Sequence, residues 1–293
     1  MFKKIMIGVI GFVVLAGAGG GVYMNTFEDL QTDYIRKHGH SKEAQTKGRK
    51  LLLQSLESFG GWKAFQAQKE QILRVHFQDL FPSKIFQWMI MPQEFHGQKM
   101  QLTFKTGGWN NRLTFLGGKR DGGGWGVQNW KSYLFDKSGK ITWKEKKEAK
   151  FWGPTYQYFI LMPFYLMDAQ LIAYAGEKTL QGKRYELVMA TWKQFAPQKD
   201  IDQYLIWIEK KTKEIKYVQF TIRDNAPRLV GTVDYHTTFQ KVGKLKLPKK
   251  LHFIFEPGKR DGIMHKLKIS SYERLNKLSS RFLLPAPSKK GQK

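Results

Sequence analysis

The spacing of apolar positions changes period near residue 70. From Ser41 onward, Ala44, Leu51, Leu52, Leu56 and Phe59 recur close to every 3.6 residues, which predicts a helix with Ser41 as N-cap and Gly60-Gly61 as its stop. Trp62 and Phe65 carry the same apolar face through one further short turn. Beyond it the period is two. Leu73, Val75 and Phe77 alternate with Arg74, His76 and Gln78, and Met100, Leu102 and Phe104 alternate with Lys99, Gln101, Thr103 and Lys105. Similar strands read at 84–91, 110–116, 125–135, 183–192, 202–208, 214–223, 229–239, 248–256 and 263–272, each bounded by Gly, Pro, Asn or Asp. So many consecutive strands, with no long helical crossovers, predict a mainly β chain of the α+β class: a large curved antiparallel sheet or unclosed β-barrel with a helical lid. A single domain is expected over 42–276.

One stretch interrupts the strands. Between Phe151 and Ile172, 15 of 22 residues are hydrophobic and seven are aromatic. Pro154, Pro163 and Asp168 are expected to cut it into short helical turns, too broken to span a bilayer and too proline-rich for a strand. Laid across the open side of a curved sheet, its rings either complete the core or form a lid over a cavity for a lipid chain. Trp62, Trp152, Tyr158, Phe159, Met162, Phe164 and Trp207 are the cavity candidates.

The ends of the chain bear on location. Lys3 and Lys4 precede an uncharged run from Ile5 to Met24 containing Ala16-Gly17-Ala18, so residues 1–24 read as a signal peptide or a transmembrane anchor. Both place the remainder outside the cytoplasm, in the periplasm or anchored in the cytoplasmic membrane facing it. Residues 25–41 read as a polar spacer, and 277–293, rich in Lys and Pro, as a disordered basic tail.

Charge narrows the partners. Fifty Lys+Arg against 24 Asp+Glu give a formal +26, so an anionic partner surface is expected. Export and the spread of the basic residues disfavour nucleic acid and point to an anionic membrane surface. The string Gly-Lys-Arg-Asp-Gly occurs at 118–122 and again at 258–262. Asp-Gly between apolar strands reads first as hairpin chemistry. The functional alternative makes Lys119, Arg120, Lys259 and Arg260 contacts for lipid head groups.

Candidate chemistry is sparse. The chain has no Cys, no nucleophile elbow, no nucleotide-type phosphate loop and no His-Glu-x-x-His helix. Gly122-Gly123-Gly124 leads into a strand pattern rather than a helix N-terminus. His38 and His40 lack a third ligand at metal spacing, Asp200 and Asp202 suit a turn, and His76, His236, His252 and His265 read as surface histidines of strands. No catalytic residue, metal or cofactor is assigned.

Several of these segments together resemble the LolA/LolB-like superfamily. They are the helix ending in Gly60-Gly61-Trp62, the insert around Leu161-Met162-Pro163-Phe164, and the hairpin from Asp202-Gln203-Tyr204-Leu205-Ile206-Trp207-Ile208-Glu209 to Ile215-Lys216-Tyr217-Val218. The later stretch from Tyr235 through Val242-Gly243 to Leu247-Pro248-Lys249-Lys250 belongs with them. The resemblance covers about residues 45–275. It implies an unclosed antiparallel barrel plugged by helices, with an apolar cavity for the acyl chains of lipids or lipoproteins, and no enzymatic activity. The chain departs from it in lacking a lipid-modified Cys and in being longer and more basic than the soluble carriers. The alternatives are an envelope scaffold without a cavity and a periplasmic hydrolase, which a pocket bringing His, Asp or Glu side chains into contact would favour. The sequence leaves ligand identity and oligomeric state open.

Overall fold

A computed structural model describes residues 29–82, 84, 87, 95, 97–223, 229–259 and 262–275. The expected leader at 1–24 and tail at 277–293, most of the strand read at 84–91, and Arg260 lie outside them. Among the described residues no helix is long and apolar enough to cross a membrane.

In chain order the elements are helix α1 (Asp33–His38), α2 (Lys42–Leu56), α3 (Trp62–Gln66), strands β1 (Ile72–Leu80), β2 (Lys99–Lys105), β3 (Asn111–Leu116), β4 (Gly124–Gln128), β5 (Lys131–Phe135) and β6 (Ile141–Trp143). Helix α4 (Lys147–Tyr165) follows, then β7 (Leu171–Leu180), β8 (Lys183–Thr191), β9 (Tyr204–Glu209), β10 (Ile215–Ile222), β11 (Leu229–Asp234), β12 (Phe239–Val242), β13 (Leu245–Pro248), β14 (Lys250–Ile254) and β15 (Ile263–Leu275). Among the described residues thirteen strands form one antiparallel sheet that does not close into a barrel, in the order β6-β5-β4-β3-β2-β1-β15-β14-β11-β10-β9-β8-β7, and β12–β13 form a separate ribbon. The expected α+β fold class holds.

The described chain divides into two compact units. One comprises its part up to Leu52 with Leu166–Asp234 and Ile254–Gly262. The other comprises Leu53–Tyr165, Tyr235–Phe253 and the described residues from Ile263 onward. Strand periodicity along the sequence carries no mark of this division, because each unit is assembled from segments far apart in the chain.

In the first unit, α1 and α2 pack beside the strands. Ser41 caps α2 as expected, its Oγ accepting from the Ala44 amide at 3.1 Å. The stretch read as a spacer is built into this unit from residue 29. The Thr32 hydroxyl accepts from the Ile35 amide and donates to the Ala175 carbonyl at 2.7 Å, and the Leu30 amide donates to Gln203 Oε1 at 3.0 Å. Leu30 and Ile35 supply the apolar anchors that the local polarity of 25–41 concealed. His38 and His40 diverge onto different rings, Tyr34 and Phe195.

In the second unit, Gly60 closes the helical segment with φ 104°, a left-handed conformation that costs glycine nothing. The strand read at 125–135 is a hairpin. Gln128 pairs with Lys131 across a two-residue turn in which Asn129 and Trp130 both take positive φ, a turn usually announced by glycine. Helix α4 corrects another expectation. It runs unbroken for 19 residues through both prolines and ends in the short 3-10 turn Leu166–Asp168. Gly153 precedes Pro154 and has no Cβ to meet the proline ring. Burial of most of the helix surface offsets the missing hydrogen bonds.

Candidate ligand face and a buried polar pair

Alternation fixes which side chains of the second unit face α4. On β1 these are Leu73, Val75, Phe77 and then Asp79, all buried; on β15 they include Leu267 and Ile269. β1 and β15 pair with Asp79 opposite Leu267 and Phe77 opposite Ile269, after a bulge at His76/Phe77. Helix α4 packs on β2–β5, and the Tyr156 ring meets Phe77 with centroids 4.8 Å apart.

Of the seven cavity candidates, six belong to this unit. Trp62 stacks on Phe65, which stacks on Phe164 at 4.5 Å and 7°. Trp152 lies against Phe95 and Tyr156, Tyr158 against Trp109 and Tyr165, and Phe159 against Phe253 at 4.5 Å. Met162 and Phe164 are wholly buried. Trp207 stands elsewhere, in the first unit. It shares one strand face with Tyr185 and Tyr217, lies beneath the Lys178 ammonium, and donates through Nε1 to Gln219 at 2.8 Å. Val188, Ile206, Ile208 and Val218, all wholly buried, take the other face of the same strands.

The basic loop residues divide similarly. Lys119 and Arg120 are exposed on a 3-10 turn joining β3 to β4, as the hairpin reading required. Lys259 is exposed and ion-paired to Glu256 at 2.9 Å. Asp202 is structural: its Oδ1 accepts from the Thr221 hydroxyl and the Arg223 amide, both at 3.0 Å.

Sequence reasoning missed one constellation on this face. The Asp79 carboxylate, 1% exposed, accepts from the Tyr156 hydroxyl at 3.0 Å through Oδ2 and meets His265 Nδ1 at 2.7 Å through Oδ1. Against an acceptor-only carboxylate, Nδ1 is the donor. The imidazole is clamped between two rings, Phe253 at 3.9 Å and 5° and Phe81 at 4.8 Å and 7°. Burial first, then the neighbouring Asp79 charge and hydrogen bond, hold the Tyr156 phenol well above its ordinary pKa, so it stays a donor. The signal was present in the register: Asp79 continues the series Leu73, Val75, Phe77, and His265 is in phase with Leu267. His265 faces the core side rather than the surface. Among the described residues no group of three His, Asp or Glu gathers as a metal site would require.

No family model matches this chain, and no curated protein matches it. Solved structures do. A LolA superfamily protein from Nitrosomonas europaea is 12% identical, with 80% of this chain and 96% of that one covered at a TM-score of 0.45. A DUF1329 family protein from Desulfovibrio piger is 11% identical, with 82% and 96% covered at a TM-score of 0.49. The Mycobacterium tuberculosis lipoprotein LppX is 7% identical, with 78% and 96% covered at 0.25.

Proposed function

We propose that this chain is an exported, non-enzymatic binding protein of the cell envelope that carries or senses the acyl chain of a lipid or lipoprotein. Residues 1–24 direct it out of the cytoplasm, and the chain works in the periplasm or anchored to the cytoplasmic membrane. The observation that carries the reading is the aromatic packing along α4. Trp152, Tyr158, Phe159, Met162 and Phe164 on α4, with Trp62 on α3, contribute wide, adaptable apolar area, whereas Trp207 belongs to the other unit. Affinity comes from apolar burial at about 25 cal/mol per Å² and needs no covalent chemistry. Lys119, Arg120 and Lys259, all exposed, together with Arg260 of the repeated sequence, meet the anionic membrane surface.

A second reading, an envelope interaction protein with no ligand cavity, draws support from the complete burial of Leu161, Met162 and Phe164, which are already covered by protein. The His265–Asp79 contact is the feature that a hydrolase reading asked for. His265 Nε2, however, has no hydrogen-bond partner among the described residues, so none of them stands aligned on it as a nucleophile. Mass spectrometry of organic extracts from the purified protein tests the proposal. A stoichiometric co-purifying lipid is the expected result, and a ligand-free protein with a filled, dry core refutes it. Intact mass is expected to show either a chain starting near Gly19 or an uncleaved membrane-bound form.

A further inference from the structure

The Asp79–His265–Tyr156 group is a chain of polar contacts built between α4 and the strands. Each component is fixed by the one before it. Tyr156 reaches Asp79 from the helix, Asp79 takes the Nδ1 proton of His265, and Phe81 and Phe253 press on both faces of the imidazole. Rotation of the ring would break the 2.7 Å contact to a carboxylate with no other described partner but Tyr156. One atom is left over. His265 Nε2 makes no hydrogen bond among the described residues. The side chain is 13% exposed, whereas that of Asp79 is fully covered. An orientation held this firmly leaves a single nitrogen open at the edge of an aromatic face.

We infer that His265 Nε2 is the polar anchor for the anionic head group, phosphate or carboxylate, of an amphiphile whose chain lies on the α4 face. This rests on the acyl-binding reading above and names the head-group class for that site. With Nδ1 held by Asp79, a proton at Nε2 turns the ring into a charged donor balanced by the carboxylate behind it. An acidic oxygen then completes a charge-assisted hydrogen bond. The parallel Phe rings exclude water from both faces of the imidazole, which strengthens such a bond. Asp79 and Tyr156 act through His265 as positioning residues.

The test compares monododecyl phosphate with monolauroylglycerol, which has a hydrocarbon chain of the same carbon count and no charge, both below micelle formation and titrated against the full chain. Wild-type protein is expected to prefer the phosphate by at least about tenfold, the lower end of what a charge-assisted hydrogen bond supplies. In His265→Asn, where the amide nitrogen can keep the Asp79 bond but nothing occupies the Nε2 position, the preference is expected to fall to about twofold or less, with monolauroylglycerol affinity unchanged. Imidazole 15N spectra of the wild-type protein give a readout that does not depend on the variant folding: the phosphate amphiphile moves Nε2 and leaves Nδ1 in place. Inorganic phosphate at the same concentration leaves Nε2 unmoved; if it moves Nε2 equally, the site takes free phosphate and the lipid assignment falls. Equal affinities in wild-type protein, or a preference that survives His265→Asn, overturn the head-group role and leave the carrier reading standing. Failure of both amphiphiles to bind overturns both.

Discussion

Tyr156→Phe isolates the hydrogen bond that joins helix α4 to the sheet. The substitution removes one hydroxyl and keeps the ring against Phe77, so shape is conserved and only the donor to Asp79 Oδ2 is lost. Both partners are about 1% exposed, so water cannot readily replace the donor. A hydrogen bond to a charged group contributes about 1.5–3 kcal/mol, and the larger share of the loss here is the carboxylate left short of a donor. At about 2–4 °C per kcal/mol for a unit of this size, the midpoint of thermal unfolding is expected to fall by about 3–12 °C. Residue-resolved hydrogen exchange is the better assay, because it assigns the loss to the amides of α4 and β1. A double-mutant cycle with Asp79→Asn removes contributions that do not pass through the contact, and a coupling of about 1–2 kcal/mol is expected. A coupling below about 0.5 kcal/mol, or exchange that accelerates evenly through both units, would refute the assignment of this bond as the tie between helix and sheet.

Three further outcomes are expected. Burial pushes the Tyr133 phenol up to about 12, and Tyr156, Tyr235 and Tyr272 are also raised. A raised phenol stabilises the fold fully below pH 10 and loses that contribution as pH climbs toward the folded value, at about 1.4 kcal/mol per unit for each ionising group; phenolate absorbance and circular dichroism should therefore change together above pH 10, and free ionisation at pH 10 with the fold intact would contradict this. Gly48→Ala adds a good helix former to α2, worth about 1 kcal/mol in an exposed helix, yet its Cβ would stand 2.4 Å from the backbone of Ala173 and Tyr174, so chemical denaturation should show net destabilisation. Charge reversal at Lys119, Arg120, Lys259 and Arg260 is expected to weaken binding to vesicles containing anionic phosphatidylglycerol at least about tenfold at low salt, at roughly 1 kcal/mol per basic residue before screening, and unchanged binding removes the loops from the membrane contact.

What could be read from the sequence was whatever a short window encodes. The α2 cap at Ser41, the stop at Gly60, the alternation of β1 and β2 and the strand at β8 are local and were legible. The Asn129-Trp130 turn was hidden because it takes positive φ without glycine, so two strands read as one. β7 was hidden because its apolar start merges with the aromatic insert while its second half, Glu177-Lys178-Thr179, looks like a loop. Continuity of α4 depends on packing around Pro154 and Pro163, which no window contains. The same limit governs the candidate site. Aromatic richness marked six residues that do share one unit, yet composition alone could not tell that Trp207 belongs to another. Asp79 and His265 lie 186 positions apart, and only the pairing of β1 with β15 brings them together.

That pairing raises a question which stability alone does not answer. A buried polar group is weak support for a fold, because desolvation offsets most of its attraction and apolar replacements of similar volume are often neutral or stabilising. The register of β1 would accept Leu at 79 as readily as it accepts Leu73, Val75 and Phe77, and the ring clamp would accept Phe at 265. The triple substitution Asp79→Leu, His265→Phe, Tyr156→Phe is therefore expected to leave stability within about 1 kcal/mol of wild type or to raise it, although Tyr156→Phe alone costs more, because the single change strands a carboxylate and the triple change strands nothing. The same triple variant should lose preference for the phosphate amphiphile and keep its affinity for the uncharged one. A loss of several kcal/mol in the triple variant would instead make the group a structural tie, with its open Nε2 a by-product of the geometry.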